Sequence, residues 1–254
     1  MTATTLALVG ATGGAGTTRT AIELATMGAR DGRDVAVLDG DFVTQGLAEY
    51  VDGRIGPDLT TLVTDRTNDA LTAAAYSPAG TRDLDSPARL DVVPVRAPFE
   101  RLARARTAEA ARAFEDRIEE AASGYDAVIV DVSPVASNEA IAAVTTVDRV
   151  VGVRPASPHG RDALQRLRGR VTDVGSAVDA TLAVTGVGGA VTDPDGEQDA
   201  DLTIPATDPA IAAAPTVAAG DGAYARSIAA AYEELFGTTL GIEFEKEGLI
   251  GRLR

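Results

Sequence analysis

Four glycines, at positions 10, 13, 14 and 16, separate an apolar run (Leu6, Ala7, Leu8, Val9) from a stretch of helical period running from Thr18 to about Arg30. Glycines in such a loop let backbone N–H groups turn inward on an anion, and the first turn of the following helix adds its partial positive charge. The loop has the composition of a phosphate holder. A second apolar run, Val35 to Leu38, ends on Asp39 and Asp41, and a later one, Ala127 to Val130, ends on Asp131. An acid at the carboxyl end of a strand beside such a loop can hold the water shell of a phosphate-bound Mg²⁺.

These residues need a framework of strands, and the sequence supplies a candidate. Strand-like runs recur at Leu6 to Val9, Val35 to Leu38, Leu90 to Val93, Ala127 to Val130, Arg149 to Val153 and Thr181 to Val187. Helix-period stretches lie between them, notably Phe99 to Ala122 (with Phe99, Leu102, Ala103, Ala110, Phe114 and Ile118) and Arg161 to Val171. Such alternation predicts an α/β fold with a mainly parallel sheet covered on both faces. The 254 residues suffice for one large domain of this kind. Residues 67–89 and the acidic stretch Gly188 to Ala200 read as irregular surface, and neither has the composition of an interdomain linker.

Charge narrows the partners. The chain carries 38 acidic and 23 basic residues, a formal net charge of −15, which argues against nucleic acid as a partner because that affinity rests on cationic contacts to phosphate. Lys246 is the only lysine, so 22 of the cations are arginine. An acidic, nearly lysine-free surface resembles the proteins of salt-loving microbes with GC-rich coding, where carboxylates keep the surface hydrated under strong screening. The absence of cysteine excludes disulfide, thiolate and Cys-type zinc chemistry. No window approaches 18 uncharged apolar residues and no basic segment precedes the first apolar run, so neither a membrane span nor a signal peptide is expected.

Two families fit the loop locally. Gly10-x-x-Gly13-x-x-Gly16, with Asp39 placed for a ribose hydroxyl, resembles the dinucleotide fingerprint of short-chain dehydrogenases, an NAD(P)-binding Rossmann reading. Thr12-Gly13-Gly14-Ala15-Gly16-Thr17-Thr18 resembles the deviant Walker A loop of the MinD/ParA family, K-G-G-x-G-K-[ST]-T. Later segments favour the second. Asp39-Gly-Asp41 followed by Gly46-Leu47 resembles that family's D-x-D switch, and Asp131-x-x-Pro134 its Walker B with D-x-x-P continuation. Pro155 with Asp162-Ala163, and Ile204-Pro205 with Asp208, resemble two further family segments. A dehydrogenase of the other family would need a Tyr-x-x-x-Lys pair, yet Ile242 stands four residues before the sole lysine.

The resemblance implies a three-layer, P-loop NTPase-like domain over residues 1–239, with ATP and Mg²⁺ as cofactors. It assigns the phosphate cradle to Gly13, Gly14, Ala15, Gly16, Thr17 and Thr18. The Mg²⁺-ligating hydroxyl falls on Thr18, the metal's water shell on Asp39 and Asp131, and the orientation of an attacking water on Asp41. It further implies a protein partner, either a paralogue or a division or positioning factor, and a homodimer. Two positions depart from the pattern. The family's phosphate-bridging lysine falls on Thr17 and its signature lysine on Thr12. One well-placed electrostatic donor stabilises a transition state by about 3–4 kcal/mol, so hydrolysis is doubtful. The adenine-contacting asparagine of the family falls on Thr185, which can make fewer of those bonds.

Other residues invite simpler readings. His159, the single histidine, is expected to be a turn residue before a helix, and Tyr224, Ile228, Tyr232 and Leu235 share the spacing of a core-facing helix. Residues 240–254 form a separate amphipathic tail. Its end resembles the C-terminal membrane-targeting helix of MinD-type members, with Leu249, Ile250 and Leu253 on one side and Arg252 and Arg254 free to meet headgroups. The expected location is the cytoplasm, with the tail against the inner face of the membrane. Three functional readings remain open: a weak or non-hydrolysing ATP binder, a pseudo-ATPase scaffold acting by protein contacts, and, remotely, an NAD(P)-binding protein.

Overall fold

The apolar runs form strands because their successive side chains enter two different covered layers. The computed structural model describes residues 3–65, 68–81, 84, 86–186 and 199–244. Among these residues one sheet contains β1 (Thr4–Gly10), β2 (Val35–Asp39), β3 (Leu90–Val93), β4 (Ala127–Val132), β5 (Arg149–Pro155), β6 (Ala180–Val184) and β7 (Leu202–Ile204). Their order is β3-β2-β4-β1-β5-β6-β7, and every pairing is parallel.

Seven helices flank the sheet among the described residues: α1 (Thr17–Arg30), α2 (Leu59–Thr64), α3 (Phe99–Ala105), α4 (Ala108–Gly124), α5 (Asn138–Thr146), α6 (Pro158–Asp173) and α7 (Ala223–Phe236). Leu6, Leu8, Val37, Ile129 and Val151 face a core with α1 and α7, whereas Ala7, Val9, Leu38, Val130 and Val150 face one with α2 and α4 to α6. This period-two division explains why the strands read as unbroken apolar runs. The order also disposes of the dehydrogenase reading. A Rossmann sheet runs 3-2-1-4-5, whereas β4 here lies between β2 and β1, so Asp39 neighbours Asp131.

Several expectations are corrected in detail. The stretch Phe99 to Ala122 is two helices, because the Thr107 hydroxyl accepts a hydrogen bond from Ala110 N at 3.2 Å and starts α4 anew. Phe99, the first residue of that periodic stretch, is 85% exposed at the start of α3. β7 has no counterpart among the expected strands, being only three residues long. Within 67–89, Leu71–Ala74 forms a 3₁₀ turn whose first N–H donates to Glu120 Oε1 at 2.7 Å. His159 lies in the first turn of α6, and Ile228, Tyr232 and Leu235 are buried as expected, whereas Tyr224 is only partly buried and lines a cavity shared with Arg19. Leu240, Ile242 and Phe244 lie against the α1 and α7 core, and the Phe244 ring sits 5.7 Å from both the Arg30 and Arg226 guanidinium carbons. Leu249, Ile250 and Leu253 lie outside the described residues, as does nearly all of Gly188 to Ala200.

α1 carries the candidate site at its start, and its far end is held by α7. A side chain at Gly28 would begin 2.6 Å from the Tyr232 hydroxyl and 2.7 Å from Cε2, so the two helices can approach this closely only with glycine there. Replacing glycine by alanine within a helix gains about 1 kcal/mol of propensity, whereas overpacking a well-filled core costs about 1–3 kcal/mol. Gly28→Ala is therefore expected to lower the melting temperature by several degrees. A melting curve equal to or above that of the parent would show that α1 and α7 are not packed at this distance.

Candidate nucleotide-phosphate site

β1 leaves the sheet at Gly10, and the chain loops over residues 11–16 before α1 begins. Ala11 N donates to the Val153 carbonyl at 2.8 Å, tying the loop to the adjacent strand end. Gly16 adopts a left-handed conformation (φ 85°, ψ 16°) and makes no side-chain cap, so the first N–H groups of α1 have no side-chain acceptor from that position. Loop and helix start open on a cavity of about 340 Å³ that is also lined by Asp41, Thr44, Tyr50, Asp131 and Ser133. The expected cradle residues Gly13, Gly14, Ala15, Gly16, Thr17 and Thr18 all line this cavity, and so does Thr12.

The two threonines behave differently. The Thr17 hydroxyl lies 2.9 Å from the point where a side chain at Gly10 would begin. Thr18 faces the carboxylates. Its hydroxyl oxygen is 3.3 Å from the corresponding point at Gly46, and its hydrogen bonding favours the ionised form of Asp131.

Asp39 and Asp131 are register partners at the ends of β2 and β4, and both are buried. Both oxygens of Asp39 are engaged: Oδ1 accepts from Asp41 N and Oδ2 from Val95 N, each at 3.1 Å. Burial first, and then the neighbouring Asp131 charge, hold its pKa well above the usual carboxylate range. Asp131 is pushed up to about 7, chiefly by burial and further by Asp41, against the opposing influence of Thr18. Its Oδ2 is buried without a hydrogen-bond partner. Asp41 spends its carboxylate on its own turn, where Oδ1 accepts from Val43 N (3.2 Å) and Thr44 N (3.1 Å) and Oδ2 from the Thr44 hydroxyl (2.6 Å).

The donors suit a hard cation. Thr18 and Asp131 offer oxygen, and Asp131 Oδ2 is a buried acceptor lacking a donor, as a Mg²⁺ site beside a phosphate requires. Among the described residues no group of three or more His, Cys, Asp or Glu side chains is arranged to hold an ion alone. Phosphate and water oxygens would therefore have to complete the coordination. Arg19 is the one cationic side chain lining the cavity among the described residues, and its donors are directed elsewhere, toward Glu23 and residues 208–216. Sequence reasoning missed Glu23, Thr44 and Tyr50. An Arg-x-x-x-Glu spacing is commonplace on exposed helix faces, and burial of Glu23 is what distinguishes this pair.

No family model matches the sequence, and neither does any curated protein. Solved structures do match the fold. The septum site-determining protein MinD of Pyrococcus horikoshii, complexed with Mg-ADP, superposes with a TM-score of 0.72 at 18% identity over 92% of this chain and 96% of that one. A Cyanothece McdA variant in complex with ATP gives 0.67 at 15% identity over 95% and 99% of the two chains. Cobyrinic acid a,c-diamide synthase of Mycobacterium smegmatis, with ADP and magnesium, gives 0.64 at 15% identity over 94% and 98%. Likeness at these identities establishes architecture, and the architecture of this chain is the MinD/ParA-type P-loop NTPase fold.

Proposed function

We propose that the chain is a MinD-like protein of cell division or intracellular positioning whose nucleotide site binds Mg-ATP weakly and turns it over slowly or not at all. One observation carries this reading. The glycine-loop cavity brings Thr18 and Asp131 together in front of open helix N–H groups, yet its only cationic side chain among the described residues is directed at protein. Backbone N–H groups and the helix dipole suffice to attract phosphate. A bound Mg²⁺ would supply the charge neutralisation that the missing lysines do not. Asp131 and Thr18 would hold it, while Asp39 has both oxygens committed to the N–H groups of Asp41 and Val95. Asp41 must leave its turn before it can orient a water.

A specific surface favours the second reading, a scaffold working through protein contacts alone. Phe99 (85% exposed) and Val43 (61% exposed) line a cleft of about 550 Å³ with Phe42, Leu102 and Ala136. Exposed aromatic and aliphatic groups sharing a concave surface suit a protein partner such as a paralogue or positioning factor. The two readings are compatible if the partner responds to the occupied site. Among the described residues no helix is long and apolar enough to cross a membrane. Membrane association on the inner face of the cell membrane would fall to the tail residues Leu249, Ile250 and Leu253, on the strength of their sequence pattern, and it would be strengthened by pairing of two copies.

Three outcomes test this assignment. In molar KCl, Mg-ATP is expected to raise the melting temperature only at millimolar concentrations, and Thr17→Lys to tighten binding at least tenfold by restoring a cation to the loop; no shift with either protein eliminates the nucleotide reading and leaves the scaffold. The second outcome is a pH dependence. The folded Asp131 carboxyl keeps its proton up to about pH 7, while an unfolded aspartate releases it near 4. Folding thus takes up a proton between those values, and the stability held below about pH 4 is lost as pH rises to about 7. Asp131→Asn is expected to be more stable than the parent by roughly 2–4 kcal/mol at pH 8 and equal to it at pH 3.5 in urea titrations; a constant difference across pH would contradict a buried protonated Asp131. Third, deletion of residues 249–254 is expected to abolish co-sedimentation with anionic vesicles, and unchanged pelleting would remove the tail from the assignment.

A further inference from the structure

The side chain that follows the phosphate loop is committed to a distant segment. Arg19 Nε donates to Glu23 Oε1 at 2.6 Å. Its Nη1 donates to the carbonyls of Asp208 and Ala210, both at 3.3 Å, and its Nη2 to the Ala213 carbonyl at 3.4 Å and the Thr216 hydroxyl at 2.8 Å. Glu23 is fully buried and continues the tie: Oε1 accepts from Thr216 N at 2.8 Å and Oε2 from Val217 N at 3.0 Å. One ion pair on the first turns of α1 thereby gathers residues 208–217 through both its cationic and its anionic member. The guanidinium fork suits this role, since its donors lie in one rigid plane.

The gathered segment walls a second cavity. Its volume is about 190 Å³, and it is lined by Val184, Thr185, Gly186, Pro205, Thr207 and Pro209. Gly16 and Arg19 line both this cavity and the phosphate cavity. The two spaces therefore adjoin, with Arg19 in the partition between them. Apolar proline and valine surfaces, the Tyr224 side chain and three threonines fit a flat heteroaromatic ring, and Asp208 on the same lining disfavours a second anion.

We infer that Arg19, anchored by Glu23, is the positioning residue for the base end of the ligand and takes no part in holding its phosphates. The inference rests on the nucleotide reading of the site. Its consequence is a division of labour along the ligand: backbone N–H groups and the metal-side oxygens act on the phosphate end, and the Arg19–Glu23 pair acts only through the wall that the ring would touch. Variants of the pair should then discriminate between ligands with and without a base.

Isothermal titration calorimetry with Mg-ATP, Mg-GTP and magnesium tripolyphosphate, on the full chain and on Arg19→Gln and Glu23→Gln, tests this. The variants are expected to weaken the better-bound nucleotide tenfold or more while leaving tripolyphosphate within twofold. Without ligand, hydrogen exchange at the Thr216 and Val217 amides is expected to accelerate at least tenfold in the variants, with β1 unchanged. Equal weakening of nucleotide and tripolyphosphate would make Arg19 a phosphate ligand and overturn the inference. Accelerated exchange with unaltered nucleotide affinity would reduce the pair to a structural tie and overturn it equally. Failure of the parent protein to bind any of the three probes would overturn the nucleotide reading itself, a result the variants do not influence. Should Arg19→Gln not fold, Arg19→Lys keeps the charge beside Glu23 but loses the fork, and it carries the same expectation.

Discussion

The top edge of the sheet is organised by two carboxylates that would not choose to be neighbours. Asp39 and Asp131 sit side by side in the β2–β4 register, one fully buried and the other 2% exposed. Burial opposes ionisation of both, the Asp131 charge opposes it further at Asp39, and the Asp41 charge opposes it at Asp131. The strands cannot slide to relieve the pair. A slip of one residue would turn Val37 and Leu38, or Ile129 and Val130, out of the cores they now fill. The large hydrophobic free energy of the two layers thus holds a small, unfavourable electrostatic arrangement in place, a common condition of functional sites. The pair is also asymmetric. Asp39 is satisfied by two backbone N–H groups, while Asp131 keeps a buried oxygen with no donor, so Asp131 is the member with something to gain from a ligand.

The glycine loop beside it has to work with partial charges. Backbone N–H groups at the start of α1 provide an attractive field of about half an elementary charge. Three nearby acids, at 39, 41 and 131, oppose it when ionised. In this balance a polyanion gains little unless it arrives with a divalent cation, which converts the carboxylates from repulsive to attractive groups. The raised pKa of Asp131 acts in the same direction, since a protonated acid repels nothing. On the proposed reading, the strength of the site is set by its metal.

Much of this was legible in the chain, and the remainder was hidden for identifiable reasons. The β1–loop–α1–β2 unit reads directly because glycines punctuate it and because strand and helix periods differ sharply. The ends of β2 and β4 were equally visible as apolar runs closing on Asp39 and Asp131. That the two acids are register neighbours was implied only by the family resemblance and not by the runs themselves, because adjacency in a parallel sheet follows from crossover order, and β4 is inserted between β2 and β1. The break before α4 was obscured by the helix-favouring Ala and Arg residues on either side of Thr107, whose capping role depends on the local turn. The Arg19–Glu23 pair illustrates the general limit. Its spacing marks a neighbourly pair on a helix, but only the packing of residues 208–217 over it makes the pair buried and consequential.

Architecture by itself assigns no chemistry here, since the same fold is shared with a MinD and with a cobyrinic acid a,c-diamide synthase. What separates such proteins is the charge inside the cavity and the surface around it. In this chain neighbouring residues of the same two segments line both. The turn closed by Asp41 places Val43 on the exposed cleft and Thr44 in the phosphate cavity, and the segment after β4 contributes Ser133 to the cavity and Ala136 to the cleft. Any ligand that draws the Asp41 carboxylate out of its turn removes the acceptor for both the Val43 and Thr44 N–H groups, and Val43 then loses the tether that fixes its place beside Phe99. Coupling by this route would need no hydrolysis. It requires only that occupancy of one cavity changes the hydrogen bonds of a turn that forms a wall of the other.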